Sequence, residues 1–186
     1  GSFSAISTAG NGDMVSNSST LTNDDKLSVA YISADAPAKV QHYTADFASA
    51  VEGTETTVAT ASGSAPYSNP AAAHSNGKTV VTWVKRDGNT YELLAAENSG
   101  EGFGSPVSLQ TSADPLVTPS IGVKPAEKQK VFTAVWTSRY TVVDPASDPS
   151  DPTYLTYGKV YSAENNKDGW GATSSLTDNV RMNYGN

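Results

Sequence analysis

The phrase AENSGEGFG, beginning at Ala96, returns as AENNKDGWG beginning at Ala163, and each is followed five positions on by a leucine, Leu109 and Leu176. A match of this length makes the chain a repeat protein, in which one supersecondary unit is stacked against copies of itself. The fold is thereby limited to architectures in which each unit buries its apolar face on a neighbour.

Sliding the chain along itself recovers the rest of the unit. Trp83 in KTVVTWVKR and Trp136 in KVFTAVWTSR stand at the same point of a strand, each with an arginine three residues later, Arg86 and Arg139. In a more diverged first copy, Tyr31 of KLSVAYIS takes the tryptophan position, with Lys26 five residues before it as Lys78 is before Trp83. Asp46 stands fifteen residues after Tyr31, as Asn98 stands fifteen after Trp83, and Val51 falls where Phe103 falls. The copies begin near Ser18, Pro70 and Pro119, a spacing of about 50 residues that suits propeller blades.

Within a copy the punctuation is that of four short strands. In the middle one, AAAH follows Pro70, a turn spans 75–77, TVVTWV runs to Val84, and a second turn spans 86–89. YELLAAE, the loop NSGEG and a strand from Phe103 to about Gln110 complete it. Runs rich in Val, Tyr, Trp and Thr, divided by Gly, Asn, Asp and Ser, read as hairpins, and no stretch keeps a helical period with a cap. The fold class is all-β: a β-propeller-like array of four-stranded antiparallel blades, three repeats plus a leading strand. The units are 1–17 (a tag remnant at Gly1–Ser2 and, from Phe3, the last strand of a preceding or closing blade), 18–69, 70–118 and 119–186. The third carries an Asp/Pro-rich insertion at 141–154.

Ala96, Asn98, Gly100 and Phe103 follow the spacing of an Asp-box turn, and here the chain resembles the sialidase-type β-propellers. Ala163, Asn165 and Trp170 repeat it with Lys167 at the glycine position, and the first copy offers only Asp46. The box has a local purpose. Its Asp or Asn accepts amide hydrogen bonds in its own turn, its Gly takes a positive φ, and its aromatic fills the gap between sheets. Three blades are fewer than the four to eight that close a propeller ring. The expectation is therefore a fragment of a longer propeller or an assembly of two chains, its partners being other blades or a second copy.

Charged residues make up only 17% of the chain and the formal net charge is −7, so there is no basic face for nucleic acid. No apolar run is long enough to cross a bilayer as a helix, and direct membrane insertion is not expected. With no cysteine, disulfides, thiolate metal sites and cysteine nucleophiles are excluded. Low charge with abundant small polar residues suggests a secreted or surface-exposed bacterial module. The Asn17-Ser18-Ser19 sequon carries little meaning in such a setting.

Catalytic candidates are few. The resemblance would require three arginines converging on a carboxylate, and the chain holds three, Arg86, Arg139 and Arg181. Two of them are products of the repeat, and the family's other catalytic context is missing. Glu92, Glu97, Asp114 and Glu164 show no spacing cue for a carboxylate pair. His42 and His74 are expected to cap turns or lie at the surface. The ligand-binding candidates are Trp83, Arg86, Trp136 and Arg139, where a ring facing a groove would stack on a sugar. Asp144, Asp148 and Asp151 offer oxygens that would suit Ca²⁺, or else form a stiff solvated loop. The expected function is non-enzymatic extracellular recognition or adhesion, directed at a glycan or a cell-surface protein. A sialidase-like hydrolase fragment and a purely structural assembly element are the alternatives.

Overall fold

The computed structural model describes residues 14–21, 26–46, 53–62, 66–75, 77–124, 131–166 and 168–181, with side chains from residue 26 onward. The leading segment from Phe3, Val51 and Lys167 lie outside them. Every regular element described is a strand, and all pairing is antiparallel, between chain neighbours except where β13 and β14 pair with β11. The first sheet is β1 (Met14–Leu21), β2 (Lys26–Ser33), β3 (Lys39–Asp46) and β4 (Thr54–Thr60), paired in that order. The second is β5 (Tyr67–Ser75), β6 (Lys78–Asp87), β7 (Thr90–Asn98) and β8 (Val107–Ser112). In the third, β9 (Leu116–Lys124), β10 (Val131–Val143) and β11 (Tyr154–Asn166) are followed by three two-residue strands. These are β12 (Gly169–Trp170), β13 (Ser174–Ser175) and β14 (Val180–Arg181), which pair in turn along β11.

The sheets stack face to face with the second in the middle. Consecutive strand residues point to opposite faces, so unbroken burial from Pro70 to Ser75 and from Thr79 to Val84 means that both faces of the second sheet are covered. By contrast β10 alternates buried and half-buried residues, the mark of one covered face. The first seam joins Ala30, Ile32, Val40 and Val58 to Ala72, Val81, Trp83 and Ala96. The second joins Val84 and Leu93 to Leu116, Ala134, Trp136 and Ala163, and continues through Ala71, Ala73 and Val80 against Ile121 and Phe132.

Trp83 and Trp136 are the largest fully buried side chains, and each lies opposite the same backbone irregularity. Asn69 precedes Pro70 with φ 49°, and Thr118 precedes Pro119 with φ 48°. Proline has no amide to give the ladder, so the strand bulges there. Pairing is interrupted between Ser68 and Ala71 across from Trp83, and between Val135 and Thr137 around Trp136. Just beyond the bulge, Arg86 N donates to Pro66 O and Arg139 N to Pro115 O, at 3.1 and 2.9 Å. Tyr31, by contrast, pairs regularly with Asn17.

Tyr67 Oη donates to Thr60 O at 3.3 Å, so the second sheet begins where the first ends. The link 113–115 reaches about 14 Å, too short to run back along a strand. The hairpins β2–β3, β6–β7 and β10–β11 therefore share one end of the stack.

Several details depart from the sequence reading. Arg86 belongs to β6 and not to a turn, and Phe103 forms an isolated bridge to Asn98 ahead of β8. Asn98 and Asn165 face Thr79 and Phe132, each four residues before the tryptophan, but Asp46 faces Lys26, five before Tyr31. The excess of the third repeat partly lengthens its hairpin, adding the pairs Thr141–Thr156, Val142–Leu155 and Val143–Tyr154.

A β-branched residue at positive φ is strained by about 1–3 kcal/mol, and glycine adopts that conformation freely. Thr118→Gly is expected to raise the unfolding free energy by about 1 kcal/mol, and Thr118→Val to leave it unchanged or lower it. Urea titrations followed by tryptophan fluorescence check both.

Candidate functional site

At the hairpin end of the second seam, partly exposed aromatic and cationic side chains gather on facing strands. The cross-strand pairs Trp136–Tyr161, Ser138–Lys159 and Tyr140–Tyr157 lie on one face of the β10–β11 hairpin. Tyr161 stacks on buried Trp136 at 6.1 Å and 17°, and Tyr140 stacks on Tyr157 at 5.4 Å and 15°. Lys159 Nζ stands 5.6 Å from the centre of the Tyr161 ring. From the second sheet, Arg86 Cζ stands 5.5 Å from the centre of Tyr91, and its Nε donates to Gly88 O at 3.0 Å. Tyr91 and Tyr161 both pack on the cluster around Trp136, whose indole donates to Gln110 Oε1 across the seam. Neither Arg86 nor Lys159 has a carboxylate partner among the described residues, although acidic groups outnumber basic ones 19 to 12 in the chain.

The structure separates the sequence candidates. Trp83 and Trp136 are 0% and 1% exposed, so neither ring has a face for a ligand. Arg86 shares the face of Val84 and borders the mouth just described. Arg139 lies on the face of β10 turned away from the second sheet, opposite Gly158. The two arginines hold equivalent strand positions but are not brought together.

The aspartates of the insertion serve their own turns. Asp144 Oδ1 accepts from Ala146 N at 2.9 Å, and Asp148 Oδ1 accepts from Ser150 N and Oγ at 2.8 and 2.6 Å. Those bonds hold the Asp148 carboxyl below the usual carboxylate range, Ser150 Oγ contributing most. Asp151 N closes the turn onto Asp148 O. Among the described residues no three His, Asp or Glu side chains converge as metal ligands. The box turn behaves as its chemistry requires: Asn98 Oδ1 accepts from the amides of Gly100 and Gly102, which stand at φ 117° and 108°.

No family model, curated protein or solved structure matches this chain.

Tyr140, Tyr157, Tyr161 and Lys159 were missed as site residues in the sequence. Their signal was present: Tyr157, Lys159 and Tyr161 recur every second residue, which sets them on one face of a strand. The histidines are a correction, for both are buried in the first seam and not at the surface. His42 is 2% exposed, bonded to Ser28 Oγ at 2.8 Å and edge-on to Phe103 at 5.6 Å. His74 is 8% exposed and bonded to Thr79 Oγ1 at 2.7 Å. The Ser28–His42 distance suits a nucleophile and its base, yet Ser28 is 0% exposed and no substrate reaches it.

Burial, and next the charge of His74, push the pKa of His42 down from 6.5 to about 4. The unfolded chain takes up that proton near its ordinary value. Stability from neutral His42 is therefore complete above about pH 6.5 and declines as pH falls toward about 4. Urea titrations at about pH 7.5 and 4.5 are expected to differ by roughly 2–3 kcal/mol from this group, a difference that His42→Gln removes.

Proposed function

We propose that this chain is a non-enzymatic recognition module of an extracellular protein, binding glycans at the tyrosine-lined mouth of the second seam. The observation that carries the reading is the row of partly exposed Tyr140, Tyr157 and Tyr161 rings with Lys159 and Arg86 beside them. Sugar C–H faces stack on such rings, while lysine and arginine donate to hydroxyl and carboxylate oxygens. Cations without acidic partners favour glycans that bear acidic groups. The extracellular placement rests on composition: few charges, many small polar residues and no cysteine.

We read the three sheets as blades of a sialidase-type β-propeller. Each is a sequential meander, the sheets stack face to face, and β5 packs on β1 as β9 packs on β5, as inner strands around an axis do. Further blades, or a second copy, would extend the array. Arg86 and Arg139 on different faces count against a carboxylate-binding arginine cluster and hence against hydrolysis.

A glycan array followed by calorimetry tests the proposal. Tyr140→Ala and Tyr157→Ala should each weaken binding of a retained glycan about 3- to 10-fold, with the melting temperature nearly unchanged. Arg86→Ala should weaken acidic glycans more than neutral ones. An array without hits, or hits indifferent to both tyrosines, would overturn the assignment.

A further inference from the structure

Away from the mouth, the second seam encloses a lysine, a glutamate and an asparagine in mutual contact. Lys78 Nζ donates to Asn165 Oδ1 at 2.8 Å and stands 2.6 Å from Glu97 Oε2. The other carboxylate oxygen, Glu97 Oε1, accepts from Asn165 Nδ2. Asn165 is 0% exposed, and the Phe132 ring lies 5.5 Å from Lys78 Nζ. One carboxylate thus touches both the amine and the amide nitrogen, beside an apolar ring, with the amine at the amide's own oxygen.

We propose that Lys78 and Asn165 become joined by an intramolecular amide bond, with Glu97 as the proton carrier. Lys78 passes an ammonium proton to Glu97, and the freed lone pair attacks Cγ of Asn165. Glu97 then hands that proton to the amide nitrogen and takes the second proton from the attacking nitrogen, the Cγ–Nδ2 bond breaks, and ammonia leaves, carrying off as ammonium the proton that Glu97 holds. An amine and a primary amide become a secondary amide and ammonia, with no change of oxidation state and no co-reactant. Proximity and a shared proton carrier are what this exchange requires. Trp170 sits directly opposite Asn165 in the ladder and holds a buried indole N–H without an acceptor among the described residues, a donor available to the tetrahedral oxyanion.

The first seam shows what the triad needs. Lys26 stands where Lys78 stands, but Thr44 takes the place of Glu97, and Asn98 spends its oxygen on Gly100 and Gly102. There Asp46 stands opposite Lys26, and the asparagine that would be attacked is held by its own turn. The bond would tie the second sheet to the third across 87 residues of chain, in a protein that has no cysteine for a disulfide.

Intact-mass spectrometry of the folded full chain decides the matter. The expected mass is about 17 Da below that of the sequence, the loss of one ammonia, and peptide mapping should yield a branched peptide joining Lys78 to Asn165. Glu97→Gln keeps the shape of the side chain and should restore the full mass, as should Lys78→Ala and Asn165→Ala, while Lys26→Ala keeps the loss. Closing so long a loop should also make the wild type melt roughly 10 °C above Glu97→Gln. A wild-type mass equal to that of the sequence overturns the proposal, whether or not any variant folds. So does a loss that maps to a succinimide at Asn11-Gly12 or Asn76-Gly77.

Discussion

The inner strands of the second sheet, β5 and β6, have no face left for water over most of their length, and many residue choices around them follow from that condition. A strand covered on both sides must be apolar at nearly every position, which is why β6 reads TVVTWV with no alternation. Polar groups there gain from partners inside the protein, because an unpaired buried polar atom costs about 1–3 kcal/mol, although Thr82 Oγ1 and Trp83 Nε1 find none among the described residues. His74 meets Thr79, and Asn165 meets Lys78 and Glu97. The third sheet carries no such demand along β10. On β10 the far face can hold Thr133, Thr137 and Arg139 half-exposed, while Phe132, Ala134 and Trp136 fill the seam.

Stacking of this kind works only if neighbouring sheets approach closely, and the bulges at Asn69-Pro70 and Thr118-Pro119 are where the ladder gives way to the indoles. Each bulge removes a regular partner from the strand position opposite the tryptophan. The strain of a positive φ is accepted at equivalent points of two repeats, which marks it as part of the unit. The first sheet carries the smaller Tyr31 and a regular pairing at that point, so ring size and backbone irregularity change together.

Much of this was legible in the sequence because it is local. Turn residues, β-branched runs and the doubled phrase state where strands begin and end, and Asn98 fulfils its turn role with its own next few amides. Register was less legible. Asp46 keeps the fifteen-residue count from Tyr31, but the first hairpin is one residue shorter: Tyr31 pairs with Gln41, ten residues on, whereas Trp83 pairs with Leu94, eleven on. Counting along the chain hides such a slip, and a strand turns it into a change of face. Contacts between sheets were illegible, since no spacing rule brings His42 to His74, or Lys78 to a residue 87 positions away. Tyr157, Lys159 and Tyr161 fall between these cases: their alternation is visible, but their partial exposure depends on how far the hairpin outruns its neighbours.

The two seams, built from the same repeat, hold by different means. In the first, imidazoles meet hydroxyls and the arrangement depends on His42 staying uncharged, since a proton placed there is buried and faces His74. The second instead brings Lys78, Glu97 and Asn165 into mutual contact. Acid therefore acts on the first seam by placing a charge on buried His42. A stack of near-identical units thus acquires two chemically different joints through a few substitutions at equivalent positions. Thr44 in the place of Glu97 and His42 in the place of Ala95 are the two that matter most.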